Sequence, residues 1–116
     1  MPIDRFDLAD MHVSPTAALF EGADRGAGIS MFVTRTPPGK WVDLHVHPYP
    51  ETFVLLHGRG RWTVGDQAVE LEPNQMVVAP PDTPHGFRNV GDEPLLVVSV
   101  HERGTLEQTW LDQEPL

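Results

Sequence analysis

The chain has 116 residues, enough for one domain with a hydrophobic core, and 40% of them are hydrophobic. It contains no cysteine, which excludes disulfides and thiolate chemistry, so any metal must be bound by His, Asp and Glu. Eight Lys and Arg against seventeen Asp and Glu give a net charge of -9. We expect no nucleic-acid partner, because such a surface repels phosphate backbones.

Membrane and export signals are not recognisable in the sequence. No apolar run approaches the roughly 18 residues that a membrane-spanning helix needs. The first ten residues, MPIDRFDLAD, are acidic and lack the basic and apolar regions of a signal peptide. We therefore predict a cytoplasmic protein with no membrane partner.

The first predicted element is a short helix in SPTAALFEG, residues 14–22. Ser14 is a candidate N-cap, Pro15 suits the first helical position, and Gly22 can end the helix. The segment is long enough for one or two turns.

Short runs rich in β-branched and aromatic residues then follow at close spacing, separated by proline and glycine. Each is of strand length, and several alternate between apolar and polar residues. The runs are ISMFVTRT, WVDLHVH, TFVLLH, RWTVG, AVELE, QMVVAP, GFRNV and LLVVSVH. VGDQAVEL has the pattern of a hairpin with Gly65 and Asp66 in the turn. Many short strands indicate a β-sandwich or a barrel.

A second helix is predicted near the C-terminus. Thr105 and Gln108 have capping-box spacing. Leu106 and Trp110, four residues apart, would lie on one helix face. The expected helix covers about residues 105–112 and docks on the outside of the strands.

The histidines within LHVHPYPETFVLLHG, residues 44–58, pose the question of a metal site. His45 and His47 lie two residues apart on a predicted strand and share a face. Proline cannot continue a central strand, so the chain turns at residues 48–50, and Glu51 opens the next strand. A hairpin here can return the carboxylate beside the two imidazoles, a ligand set that suits a divalent transition metal. The alternative is an exposed edge strand with incidental histidines.

Two segments resemble the two conserved motifs of the cupin family. The defined positions of the first motif are all filled, by Gly39, His45, His47, Glu51 and Gly58. Residues 74–89, NQMVVAPPDTPHGFRN, fit the second motif, with Pro80, His85 and Asn89 in place. Two glycines of that motif are replaced by Asn74 and Asp82, and Asn and Asp best tolerate the positive φ of a tight turn. The resemblance covers roughly residues 28–101.

This resemblance implies a small single-domain cupin of the conserved-barrel type, within the RmlC-like jelly-roll superfamily. The expected fold is all-β: a small jelly-roll barrel with short helical segments at the N- and C-terminal ends. The domain would occupy residues 1–116, with an N-terminal arm over 1–27 and a core barrel over about 28–101. The C-terminal helix would follow.

The resemblance also implies a metal site at the barrel mouth. Carried over by position, the ligands are His45, His47, Glu51 and His85. They would hold one divalent transition metal, either Fe, Mn, Ni, Cu or Zn. Four protein ligands leave one or two positions of an octahedral ion open to water or substrate, as in reactive metal sites.

Strand alternation places Trp41 and Asp43 on the face of His45. Trp41 would line the substrate pocket, and Asp43 is a candidate hydrogen-bond acceptor for a metal ligand or a candidate acid/base residue. A β-bulge between Gly39 and His45 would reverse this assignment.

By the same alternation, Phe53 shares the face of Glu51, and Phe87 shares the face of His85. Both are candidate pocket residues in a mostly apolar cavity that suits a small organic ligand. For Phe53 the alternative is a plain core position between two sheets.

Two further histidines are weighed separately. His101 resembles a histidine near this place in some small cupins, and it either lines the pocket or anchors the C-terminal segment. His57 lies six residues of strand after Glu51, roughly 20 Å away, and is not expected to bind the same ion.

The predicted function is that of a metal-binding cupin with a small-molecule ligand or substrate. The resemblance favours a dioxygenase-like oxidoreductase acting on a small oxygenated molecule. The alternatives are a metal-dependent isomerase or cyclase, a non-catalytic binding or sensing cupin, and an assembly unit. A homodimer is expected, because short barrels commonly bury a sheet edge or face against a twofold mate.

Overall fold

The computed structural model describes residues 3–116, in which the chain forms eleven strands and two short 3-10 helices. The helices are Leu8–Met11 and Gly22–Arg25. The strands are β1 (His12–Ser14), β2 (Ala17–Glu21), β3 (Ser30–Thr36), β4 (Trp41–Val46), β5 (Glu51–His57), β6 (Gly60–Val64), β7 (Gln67–Leu71), β8 (Met76–Ala79), β9 (His85–Asn89), β10 (Leu95–His101) and β11 (Thr109–Trp110). Within the described range, no helix is long and apolar enough to span a membrane.

The strands form two antiparallel sheets of a jelly roll. The six-stranded sheet has the order β1-β2-β3-β10-β5-β8, and the five-stranded sheet has the order β11-β4-β9-β6-β7. Every strand predicted between residues 29 and 101 is present, and Gly65, at φ 63°, lies in the predicted β6–β7 turn. The predicted all-β jelly roll is confirmed.

The interior changes from apolar to polar along the strands. On β10 every second residue is buried, and the inward side chains run from Leu95 and Val97 to Ser99 and His101. The apolar end holds a core of large side chains in which Trp62 stacks on Phe87, with ring centroids 5.0 Å apart. Burial of this core stabilises the closed end of the sandwich. At the opposite end of the sandwich the inward side chains are polar.

The helix predicted over residues 14–22 is wrong. Residues 12–21 form the hairpin β1–β2, with Pro15 and Thr16 in its turn. β2 pairs with β3 along its whole length, from Ala17 opposite Thr34 to Glu21 opposite Ser30. A nine-residue helix is marginal by itself, whereas the open edge of β3 offers a full ladder of hydrogen bonds. The predicted N-terminal arm therefore contributes two strands to the sheet.

The helix predicted over residues 105–112 is also wrong. Residues 105–108 have no regular secondary structure, and Thr109–Trp110 pairs with the edge strand β4. The backbone N–H of Leu111 donates to the Leu44 carbonyl, and that of Leu44 donates to the Gln113 carbonyl. These bonds require an extended chain, so the sheet edge overrides the local helical pattern.

A β-bulge interrupts β4. Val42 lies opposite Phe87 of β9, but His45 lies opposite His85, so three steps on β4 correspond to two on β9. One extra residue in β4 reverses the alternation on the N-terminal side of His45.

The two replaced motif glycines have the backbone conformation of glycine. Asn74 has φ 72° and Asp82 has φ 58°, both in the left-handed region, and both residues lie in turns. The prediction that Asn and Asp preserve these turns is therefore confirmed.

We expect Asn74→Ala to lower the free energy of unfolding by about 1 kcal/mol, because alanine tolerates positive φ poorly. Asn74 is exposed, so packing losses do not contribute. Urea unfolding monitored by tryptophan fluorescence measures the change. Asn74→Gly is the control and should be at least as stable as wild type; equal loss in both variants would contradict the backbone explanation.

Candidate metal centre

Three imidazoles and one carboxylate converge at the polar end of the interior. His45 lies on β4, His47 directly follows it, Glu51 begins β5 and His85 begins β9. One ligand atom from each lies within 4.8 Å of all the others, and all four residues are buried. The structure therefore brings together the four ligands that the cupin motifs imply.

The two sheets contribute different chemistry to this group. His45 and His85 lie on the five-stranded sheet and His47 directly follows its strand β4, whereas Glu51 lies on the six-stranded sheet. β4 and β5 do not pair as the predicted hairpin; instead the Pro-Tyr-Pro turn at residues 48–50 carries the chain from one sheet to the other. The site therefore forms only when both layers are packed together.

Backbone carbonyls fix the orientation of all three imidazoles. The Nδ1 atoms of His45, His47 and His85 lie 2.8, 2.7 and 2.8 Å from backbone oxygens. These oxygens belong to Asp43, Tyr49 and Thr83. Because a carbonyl only accepts, each Nδ1 donates its hydrogen, and the Nε2 atom of each ring points inward. Such bonds are typical of the outer partners of metal-binding histidines.

The inward nitrogen atoms meet one oxygen of Glu51. Oε1 lies 2.9 Å from Nε2 of His47, 2.9 Å from that of His85 and 3.6 Å from that of His45. If Nε2 carries no hydrogen, each ring presents a lone pair to an oxygen that also only accepts, so these short distances are unfavourable unless Nε2 donates a hydrogen or an ion lies between the atoms. A divalent cation removes this conflict by accepting electron pairs from all four atoms. The donor set therefore fits a divalent transition metal.

The charge of Glu51 is retained despite its burial. Burial by itself would raise the pKa of this carboxyl group. Hydrogen bonds that the surrounding imidazoles can donate to the carboxylate outweigh that effect and hold its pKa well below the ordinary value; they come from His101, His45, His47 and His85. The carboxylate is thus present as an anion, the form that binds a metal.

His101 lies behind the carboxylate of Glu51. Its Nε2 is 3.1 Å from Glu51 Oε2 without a well-aligned hydrogen bond, and its Nδ1 is 2.9 Å from the Tyr49 hydroxyl. That hydroxyl donates to the Glu107 carbonyl and accepts from the Glu107 N–H. Burial raises the pKa of Tyr49, which keeps the hydroxyl protonated. His101 therefore connects the carboxylate to the C-terminal segment and does not line the cavity.

A cavity of about 350 Å³ opens beside the ligand group. Of the four candidate ligands, only His45 and Glu51 reach its wall, so His47 and His85 hold the far side of the group. The wall also includes side chains from both sheets, the β1–β2 hairpin and the C-terminal segment: Val13, Ser14, Thr16, Ala17, Phe32, Thr34, Thr36, Val42, Phe53, Phe87, Ser99, Leu106, Gln108 and Trp110. The cavity wall is therefore predominantly apolar, and the candidate metal site faces the cavity through His45 and Glu51.

The structure divides the predicted pocket residues. Phe53 and Phe87 line the cavity, as alternation predicts. Trp41 and Asp43 do not, and this assignment is corrected: the β4 bulge turns both outward, where the Trp41 indole donates to the Asp43 carboxylate at 2.9 Å. Asp43 supports the site through its backbone carbonyl instead. His57 lies on the surface, 3.1 Å from Glu93 and remote from the cavity.

Several cavity residues were missed in the sequence. Ser99 lies two residues before His101 on β10, so alternation could have found it. Val42 becomes a wall residue only because of the bulge, which no local pattern indicates. Trp110 places its ring 5.0 Å from that of His45 after folding back along β4.

The family model of the cupin domain matches residues 32–101, the part of the chain that contains all four candidate ligands. The chain belongs to the cupin family. This assignment confirms the resemblance drawn from the two motifs.

The relatives of this cupin include proteins of different description. An uncharacterized protein of Methanocaldococcus jannaschii is 31% identical over 75 residues, 64% of this chain and 60% of that protein. Polyketide synthase CurC of Streptomyces cyaneus is 39% identical over 62 residues, 53% of this chain and 40% of that protein. Protein SchB of Streptomyces halstedii is 36% identical over 81 residues, 69% of this chain and 54% of that protein. The cupin spans about half the length of these curated relatives.

Solved structures with the same fold include oxalate decarboxylases. That of Lactobacillus farciminis, in complex with formate, superposes with a TM-score of 0.81 at 21% identity, over 91% of this cupin and 35% of that chain. The Bacillus subtilis enzyme gives 0.80 at 20% identity, over 90% and 30%. Another structure of the Bacillus subtilis enzyme is described by its Mn(II) centres. At this identity the likeness shows the fold alone.

Proposed function

We propose that this cupin is a metal-dependent enzyme that acts on a small oxygenated organic molecule, with dioxygenase-like or related oxidoreductase chemistry. The observation that carries the proposal is the opening of the His45–Glu51 side of the ligand group into an organic-sized cavity. A divalent ion held by the three histidines and Glu51 would supply Lewis-acid chemistry and, for Fe or Mn, redox chemistry.

The protein's own residues provide position and exclusion of water. Backbone carbonyls orient the imidazoles, and the apolar wall limits the number of water molecules near the ion. The names of two comparison proteins, a polyketide synthase and oxalate decarboxylase, also refer to oxygen-containing organic molecules. A non-redox ion at the same site would support isomerisation or cyclisation instead.

Metal analysis tests the first part of the proposal. We expect wild type purified without added metal to carry about one divalent ion per chain, and His47→Ala to carry far less, because His47 is a buried candidate ligand whose Nε2 lies 2.9 Å from Glu51 Oε1. His57→Ala is the matched control, since it removes an exposed imidazole outside the site. Equal, substoichiometric metal in wild type and His47→Ala would contradict the proposal.

Oxygen consumption tests the second part. Protein loaded with Fe(II) or Mn(II) is supplied with a panel of enols and diketones, and uptake should occur in wild type and be lost in His47→Ala. Metal binding without oxygen uptake or product formation across the panel would favour a binding protein over an oxidoreductase.

We also propose that the protein forms a homodimer through the outer face of the six-stranded sheet. The outward positions of its central strands lie side by side across β3, β10, β5 and β8. Two adjacent rows of this face are apolar except for one threonine: Met31, Val100, Thr52 and Val78 in one row, and Val33, Val98, Val54 and Met76 in the next. Arg35, opposite Leu96, lies beyond the second row on the same face. A water-facing sheet surface normally alternates to polar residues, so this face has the composition of a covered one.

A second copy of the chain is the partner that fits this face. Met76 and Val78 are 59% and 54% exposed in the single chain. The two rows carry no charged residue although the chain carries -9, so stacking two copies brings uncharged surfaces together and leaves the charged groups, Arg35 among them, at the periphery.

We expect Val98→Lys to weaken the dimer by about two orders of magnitude or more, because an unpaired lysine at the centre of an apolar interface costs several kcal/mol. Light scattering after size exclusion measures the mass at several concentrations. Val69→Lys is the control, since Val69 is exposed on β7 of the other sheet. A monomeric wild type at high concentration would contradict the proposal.

A further inference from the structure

We infer that the cavity takes a ring-sized substrate that reaches the metal through an enol or phenol oxygen and carries at most one negative charge. Small dicarboxylates are excluded as substrates. This substrate class rests on the proposed metal-dependent function and belongs to that same site.

The charge of the cavity supports this restriction. Among residues 3–116, no lysine or arginine lines the cavity, and Glu51 is the charged side chain of its wall. A divalent ion with one carboxylate and three neutral imidazoles has a net charge of +1, which balances a single negative charge. A dianion would bring a second charge into a low-dielectric site that has no cation to pair with it. The net charge of -9 opposes the approach of a dianion as well.

The walls of the cavity suit a flat apolar body. Phe32 and Phe53 come from the six-stranded sheet, Phe87 and Val42 from the five-stranded sheet, and Trp110 from the C-terminal segment. Aromatic walls on opposite sides favour ring contacts by stacking and edge packing. The volume of about 350 Å³ corresponds to about a dozen water molecules at ~30 Å³ each. That space suits a molecule of one or two rings, whereas a two-carbon diacid would leave most of it to water.

The cavity wall also contains neutral hydroxyl groups that can bind a ligand oxygen. Thr34 and Thr36 on β3 and Ser99 on β10 line the cavity. The buried Thr34 Oγ1 has no hydrogen-bond partner among residues 3–116. Because a buried polar atom normally has a partner, this hydroxyl is available to a ligand. Hydroxyls serve a neutral carbonyl or phenol oxygen, whereas carboxylate recognition typically uses arginine.

The test compares three probes with the same O–C–C–C–O chelating unit. Malonate is a dianion, acetylacetone binds as a singly charged enolate, and benzoylacetone is such an enolate with a phenyl ring. Each is titrated into Co(II)-loaded wild type, with the visible spectrum of the ion as readout, and each affinity is divided by that of the probe for aqueous Co(II). Metal retention is measured separately by elemental analysis.

We expect benzoylacetone to bind best, acetylacetone next and malonate at least tenfold more weakly than benzoylacetone. Thr16→Arg, which adds a cation at the exposed rim of the cavity, should raise the relative affinity of malonate about tenfold. Thr105→Arg, exposed and outside the cavity wall, is the matched control and should change nothing.

The outcomes separate the two proposals. One equivalent of bound Co(II) with the expected probe order supports the substrate class. One equivalent of Co(II) with malonate bound as well as benzoylacetone, or better, overturns the substrate class and leaves the metal function standing. Failure to retain Co(II) overturns the proposed function, and the substrate class with it.

Discussion

Glu51→Gln is expected to lower the metal affinity of this cupin by more than about 100-fold. Loss of a group that only supports a metal ligand typically costs 10- to 100-fold, and Glu51 is itself a candidate ligand. Its Oε1 atom is the point where the three Nε2 atoms meet, and it supplies the one negative charge of the group. An amide of the same shape keeps the packing but removes that charge. Titration with Co(II) or Zn(II), followed by elemental analysis, measures the loss.

The surface of the molecule offers a matched control. Glu93 contacts His57 at 3.1 Å, so Glu93→Gln removes a carboxylate from a histidine contact of similar distance that is solvent-exposed. We expect metal affinity within twofold of wild type in that variant. Retention of wild-type affinity by Glu51→Gln would show that the ion is held elsewhere.

Gly86→Ala is expected to lower the free energy of unfolding by about 1 to 3 kcal/mol, the usual range for an extra methyl group without space. A Cβ atom at Gly86 would lie 2.6 Å from the Val42 carbonyl oxygen and 3.1 Å from that of Asp43. Both obstacles are backbone atoms of the β4 bulge, which cannot rotate away as a side chain can. The strand must shift, and the Asp43 carbonyl that orients His45 shifts with it.

The same substitution should therefore reduce metal affinity by 10- to 100-fold, the range for loss of an outer partner of a ligand. Urea unfolding of the metal-free protein and Co(II) titration measure the two effects separately. Gly28→Ala is the control, because its Cβ meets nothing within 4 Å and its φ is not positive. Normal stability with normal metal affinity in Gly86→Ala would contradict the close approach of β4 and β9.

The central strands and the ligand set could be predicted because both follow local rules. Alternation marks the strands between residues 29 and 101, and the motif spacing marks His45, His47, Glu51 and His85. Asn74 and Asp82 could be interpreted for the same reason, since positive φ is a property of the single residue. Each of these features is determined by a short local segment of the sequence.

The remaining features depend on contacts between distant segments. The bulge that turns Trp41 and Asp43 outward arises where β4 meets the space left by Gly86, more than forty residues later. β2 and β11 are strands because the edges of β3 and β4 accept them, although both segments carry helical patterns. The sequences of β4, β2 and β11 do not themselves show the packing gap or the free sheet edges that determine their conformation.

The Tyr49 hydroxyl connects the candidate metal centre with the C-terminal segment that lines the cavity. On one side it contacts His101, which lies against Glu51; on the other it is bonded to the backbone of Glu107, next to the cavity residues Leu106 and Gln108. Energetic coupling between two binding events is reciprocal. If ion binding strengthens the attachment of residues 106–110 beside the cavity, a molecule that these residues hold must raise the affinity of the protein for the ion by the same factor. Substrate and metal would then each act as an effector of the other, and Tyr49→Phe should diminish both effects equally.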